Sequence, residues 1–166
     1  TNLNTSGKYG GLIANATNMT IKNLNVSHAS FSVAGTFGAS VDGANLENVS
    51  IYAGWQTSTG FGVLFRELRY SNDINLKNVT IKFDTTGAIY SNQWGFFGAA
   101  NDNGGYSFAG KIYVDNVIIS SAFDLPLVGY TYTTDPLYKT DLLEYGSGIV
   151  KADGAEKGIT FYRNAT

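Results

Sequence analysis

One eight-residue pattern occurs four times in this 166-residue chain. The copies are Met19-Thr20-Ile21-Lys22-Asn23-Leu24-Asn25-Val26, Ala44-Asn45-Leu46-Glu47-Asn48-Val49-Ser50-Ile51, Ile74-Asn75-Leu76-Lys77-Asn78-Val79-Thr80-Ile81 and Ile112-Tyr113-Val114-Asp115-Asn116-Val117-Ile118-Ile119. Each reads apolar-x-apolar-x-Asn-apolar-x-apolar, and the Asn-to-Asn spacings are 25, 30 and 38 residues. A repeat at such a period is the mark of a solenoid, in which one unit buries its apolar edge only by stacking on the next.

Within a copy the apolar residues alternate, and at the Asn the parity shifts. Ala44 to Leu46 and Val49 to Ile51 are steps of two, whereas Leu46 to Val49 is a step of three. Strand side chains have period two, so a fixed parity break predicts strand, bend, strand, with both strands facing one core. Asn suits the bend because it tolerates left-handed backbone angles and bonds to nearby backbone. Stacked in register, Asn23, Asn48, Asn78 and Asn116 are expected to form an internal ladder, each amide bonding to the next, as in stacked parallel strands. The residues just ahead of them, Lys22, Glu47, Lys77 and Asp115, alternate in sign. On the outer face of a parallel stack they would lie about 4.8 Å apart, attracting in register and repelling out of it.

A second block lies between the Asn copies, at Gly10–Ala14, Val33–Ala39, Gly60–Phe65, Trp94–Ala99 and Leu125–Tyr130. It is expected to supply another short buried strand with glycines at close approaches. Loops absorb the growing spacing, among them the turn sequence Asn101-Asp102-Asn103-Gly104-Gly105. From Ser120 the pattern loosens, and both prolines, Pro126 and Pro136, fall there. Asp135 as N-cap, Pro136 in the first turn and Gly146 as C-cap predict a short helix near 136–145. Ile159-Thr160-Phe161 is expected to begin a further coil.

The stretch Phe31 to Ile51, with Ala34-Gly35-Thr36-Phe37-Gly38 leading into Asn45-Leu46-Glu47-Asn48-Val49, resembles the GLUG-type repeats of large surface and secreted proteins. More broadly it looks like a parallel right-handed β-helix. The resemblance spans roughly residues 10–130 and speaks to architecture, since such repeats occur in adhesins, cell-wall proteins, viral tailspikes and polysaccharide lyases alike. The expected fold is therefore all-β: a parallel β-solenoid (right-handed β-helix) of about 4–5 irregular coils with a short helix near 136–145. One domain is expected over 1–166, with a repeat core at about 10–130 and a decorated part at 131–166. The apolar solenoid ends lack polar caps, which implies a place in a longer chain or assembly that joins end to end.

Composition narrows the function. A net charge of -2 with scattered basic residues argues against a nucleic-acid groove. No apolar run approaches the roughly 18 residues of a membrane span. There is no cysteine for a disulfide or thiolate metal site, and His28 is the only histidine, so no His-based zinc site or triad forms within the chain. Asp73, Asp84, Asp102 and Asp124 fall near loops that could share a face but read as scattered solubilising acids, and Arg66 and Arg69, near Glu67, could face a loop cleft but read rather as surface residues. Asn101–Gly104 lacks the spaced acids of a calcium loop. No catalytic residue, metal or cofactor is expected. Seven of the sixteen Asn lie in Asn-x-Ser/Thr sequons, and Asn4, Asn15 and Asn164, outside the ladder, are the glycosylation candidates. Trp55, Tyr52, Tyr70, Tyr90, Trp94, Tyr106, Tyr130 and Tyr132 could provide a sugar-stacking face, although core filling and corner packing are the more common roles of aromatic residues.

The expected function is an extracellular or cell-surface structural or adhesive module, non-catalytic, whose partners are copies of itself or neighbouring domains, with glycans as further partners. Two rivals stand beside it: a carbohydrate-binding or polysaccharide-cleaving β-helix, and a viral or phage receptor-binding fibre.

Overall fold

The computed structural model of the chain describes residues 11–28, 35–55, 62–85, 95–100, 108–121, 127–130, 143–145 and 159–163. They form nine strands: β1 (Asn15–His28), β2 (Gly38–Trp55), β3 (Phe65–Leu68), β4 (Ile74–Thr85), β5 (Gly98–Ala100), β6 (Ile112–Ser121), β7 (Val128–Tyr130), β8 (Leu143–Tyr145) and β9 (Ile159–Arg163). All belong to one curled sheet, every strand pairing in it is parallel, and no helix occurs among the described residues.

The pairing follows the sequence repeat residue for residue. Leu24 faces Val49, Val49 faces Val79 and Val79 faces Val117; likewise Ile21, Leu46, Leu76 and Val114 form one row. The unit becomes more broken along the chain. Strands β1 and β2 run through their bends, whereas β3 and β4 share the next layer, flanking β2 at its two ends. The layer after that is divided between β5 and β6. The second sequence block stacks in the same way: Thr36 N donates to Val63 O at 2.9 Å, Leu64 N to Phe96 O at 3.0 Å and Phe97 N to Leu127 O at 2.9 Å. Close approach explains its glycines, since a Cβ on Gly62 would lie 1.9 Å from Phe65 O.

The core lies inside the curl. Leu46, Val49, Leu76, Val79, Ile81, Val117 and Ile119 are at most 1 % exposed. Phe37, Phe65, Phe83, Phe96 and Phe97 fill the space between the repeat strands and the second block, with Phe83 edge-on to Phe96 at 6.2 Å. Each such side chain contributes about 1.5–3 kcal/mol by leaving water. In β1 the equivalent residues Met19, Ile21, Leu24 and Val26 are only half-buried, and Leu12 and Ile13 before them are exposed.

The helix expected near 136–145 is corrected where it can be seen. Residues 136–142 lie outside the described residues, but Leu143–Tyr145 is strand, paired with Ile112–Val114. Ile159–Arg163 pairs with Val117–Ser121. The two segments are thus the halves of a fifth copy of the repeat, and Ile159 continues a layer instead of beginning one. The backbone partner offered by β6 outweighs the local capping pattern.

Candidate functional site

Two sides of the sheet carry polar side chains in ordered arrangements. The first is the Asn bend. Asn23, Asn48, Asn78 and Asn116 have φ of 55°, 54°, 50° and 53°, the left-handed region that Asn enters at little cost. Asn48 Nδ2 donates to Asn23 Oδ1 at 3.0 Å, Asn78 Nδ2 to Asn48 Oδ1 at 2.9 Å and Asn116 Nδ2 to Asn78 Oδ1 at 2.9 Å. The ladder is exposed, which corrects its expected internal position. The parity shift is the cause: with Leu46 and Val49 both inward, the two residues between them must both face out. Asn48 and Asn78 also lie in sequons, but in each the Nδ2 that would carry a glycan is the ladder donor. A second amide rung, Asn75 Nδ2 to Asn45 Oδ1 at 2.9 Å, was legible in the shared motif position and was not anticipated.

Lys22, Glu47, Lys77 and Asp115 stand in register beside the ladder on the same outer face. Lys22 Nζ and Glu47 Oε2 are 2.6 Å apart. The hydrogen bond from Lys22, with its charge and that of Lys77, holds the Glu47 carboxyl below its ordinary value. Farther along that face Lys82 Nζ sits 5.1 Å from the centre of the Tyr52 ring.

The second side is a corner around β3, and it departs from expectation. Arg66 and Glu67 are buried, at 9 % and 2 % exposure. Arg69 Nε donates to Glu67 Oε2 at 2.8 Å, with a second contact from Arg69 Nη2, and Arg66 Nη2 lies 3.1 Å from Glu67 Oε1. Glu67 is thus clamped between two guanidiniums, the arrangement a buried carboxylate needs to remain charged. Room for it comes from small neighbours, Ser40 in the layer on one side and Ala99 on the other. The surface reading is corrected for Arg66, whereas Arg69 stays partly exposed at the cleft: charge alternation in sequence does not reveal that adjacent layers close over Glu67.

Next to the clamp, Tyr70 holds φ of 62°, a conformation bulky residues rarely adopt, and its side chain is exposed. Its carbonyl accepts from Ala109 N at 2.6 Å, and Arg69 N donates to Val41 O at 2.9 Å, so the backbone on both sides is fixed by neighbouring layers. Asp42 receives two bonds from Asn72, from N at 3.1 Å and Nδ2 at 3.0 Å. Beside it Gly43 has φ of 88°, and a Cβ there would lie 2.5 Å from Asn18 Oδ1. Asp73 Oδ1 accepts from Lys111 N at 2.8 Å, a structural role for one of the four acids singled out in the sequence. The corner borders a half-open cleft of about 300 Å³ lined by Asn15, Ala16, Thr17, Ser40, Asp42, Arg69 and Tyr70.

Of the glycosylation candidates, Asn15 is exposed on β1, while Asn4 and Asn164 lie outside the described residues. Asp102, Asp124 and the Asn101–Gly104 turn also lie outside them. Among the described residues no three His, Asp or Glu side chains gather as a metal site, and no helix is long and apolar enough to cross a membrane. The chain matches no protein-family model, and no curated protein or solved structure is significantly similar to it.

Proposed function

We propose that the chain is a non-catalytic structural or adhesive module of an extracellular surface protein or filament, built as a right-handed parallel β-solenoid of about 4–5 irregular coils in the manner of GLUG-like repeats. The observation that carries the reading is the contrast in burial along one row of the repeat. Leu46, Leu76 and Val114 are at most 5 % exposed, while their counterpart Ile21 in β1 is half-buried, as are Met19, Leu24 and Val26. Among the described residues β1 is paired along one edge only. Such an edge is a template for another parallel layer. A second copy of the chain, its β8 and β9 edge meeting β1, or a neighbouring domain of a longer chain supplies that layer. The mechanism is mechanical: stacked backbone bonds and the aliphatic rows carry load, and the Asn and charge ladders select the register. The density of sequons favours a secreted location.

Negative-stain electron microscopy over a range of protein concentrations tests this. Rods that lengthen with concentration are expected, and Ile13→Lys, which puts a charge on the exposed end without touching the core, should shorten them. Particles that keep the size of one chain at every concentration would overturn the stacking reading.

A further inference from the structure

The cleft at the β3 corner is built across three adjacent layers. Outward-facing positions of parallel strands recur every second residue, and here they fall on Asn15 and Thr17 in β1, Ser40 and Asp42 in β2, and Arg69 just past β3, while Glu67 in the same row is covered. The layers lie about 4.8 Å apart, so these five outward side chains tile one patch. Tyr70 forms its rim.

Three properties distinguish this patch from an ordinary polar surface. The polar groups are held before any ligand arrives, since Arg69 is oriented by the buried carboxylate of Glu67 and Asp42 by the amide and backbone of Asn72. Preorganisation of this kind lowers the cost of binding. The charges balance locally: Arg66 and Arg69 stand against Glu67 and Asp42, so the site favours neither an anion nor a cation. The aromatic rim stands on the left-handed corner that Asn18 and Gly43 also take in the adjacent layers, and only here does that corner carry a bulky residue ill-suited to it, a strained choice of the kind that clusters at ligand-binding positions.

We propose that this cleft is a binding subsite for one neutral pyranose ring of a glycan. The ring's apolar C–H face packs on Tyr70, and its hydroxyls meet the Arg69 guanidinium, the Asp42 carboxylate and the amide and hydroxyl groups of Asn15, Thr17 and Ser40. A volume of about 300 Å³ is at the lower end of the range for ligand sites, which suits a single sugar ring. Anions are poor ligands because two nitrogens of Arg69 are already committed to Glu67. The inference does not depend on end-to-end stacking.

The test is a solution NMR titration of the full chain, bearing the stacking-deficient Ile13→Lys change if rods form. The probes are the methyl pyranosides of glucose, mannose, galactose and N-acetylglucosamine, with sodium acetate and sodium phosphate as anionic controls. At least one glycoside should shift the amides of residues 15–17, 40–42 and 69–70 at millimolar concentration. Tyr70→Asn removes the ring but keeps a residue suited to the left-handed bend, and should weaken binding about tenfold, whereas Tyr70→Phe should retain it. Silence towards all four glycosides, shifts confined to other regions, unchanged affinity in Tyr70→Asn, or a response to the anions alone would each overturn the proposal.

Discussion

The curled sheet bends through left-handed backbone at two contrasting places. At one, Asn23, Asn48, Asn78 and Asn116 repeat the same φ within a few degrees and tie each bend to the next through their side chains. At the other, the corner of each layer bends at a different residue, Asn18 (φ 50°), Gly43 (φ 88°) and Tyr70 (φ 62°), with the buried Glu67 clamp one to four residues from Tyr70 and a cleft at its side. The Asn bends use a residue matched to its conformation, and the same solution recurs wherever the layer recurs. The Tyr70 bend uses a mismatched residue, and only the bonds of neighbouring layers hold it. Repetition marks what every layer needs in order to stack. At the corner the bend recurs in three layers but only one of them places a tyrosine there, and that locally unfavourable choice separates the architectural reading from the proposed ligand site.

The largest effect should come from breaking the corner itself. Glu67→Ala leaves the Arg66 and Arg69 charges facing each other in a partly buried site and should cost about 3 kcal/mol in urea unfolding. A loss under about 1 kcal/mol would mean that both arginines reach water and that Glu67 does not organise the corner. The Asn side is dissected by two variants of one residue. Asn78→Ala forfeits two exposed ladder bonds and places an unsuited residue in the left-handed region, for a loss of about 2 kcal/mol. Asn78→Gly keeps the backbone at ease and loses the ladder, for about 1 kcal/mol, so equal losses would show that backbone fit plays no part. Tyr70→Asn should have the opposite sign, stabilising by up to about 1 kcal/mol as strain is relieved. Marked destabilisation there would place Tyr70 with the structural bends.

The smallest effect is the pH dependence of the charge ladder. Because the Glu47 carboxyl is lowered by Lys22, its folded value lies below the unfolded one. Its contribution is therefore complete above the ordinary value of 4.5 and disappears as pH falls through the lowered folded value. Melting temperature followed through that window at low salt should fall slightly more for the wild-type chain than for Glu47→Gln; parallel curves would mean that the pair contributes nothing.

The repeat side was legible in sequence because each copy carries its own check. The apolar spacing gave the inward faces, the parity shift gave the bend, and the Asn gave its left-handed geometry. The exposed side of the ladder was implied by the same arithmetic, since a step of three between inward residues leaves two outward. Half of the fifth copy was legible, in Ile159-Thr160-Phe161, but the half at 143–145 was hidden because it lies far ahead in sequence and Asp135, Pro136 and Gly146 imitate helix caps locally. The corner was illegible for a different reason. Nothing in Arg66-Glu67-Leu68-Arg69 says that Ser40, 27 residues earlier, and Ala99, 32 residues later, stand on either side of Glu67 and leave it room.

The central claim is that the copies stack in parallel register, and engineered disulfides test it most directly because the chain has no cysteine of its own. Ser50 and Thr80 are register partners on β2 and β4, with Thr80 exposed and Ser50 half-buried. Their Cα atoms should lie about 4.8 Å apart, within disulfide range. Ser50 and Lys82 are two residues out of register, a diagonal of about 8 Å that a disulfide does not span without backbone movement. Under mild oxidation the Ser50→Cys, Thr80→Cys variant should form an intramolecular bond in good yield, while Ser50→Cys, Lys82→Cys should stay reduced. Closure of the second pair in preference to the first would contradict the register on which the account rests.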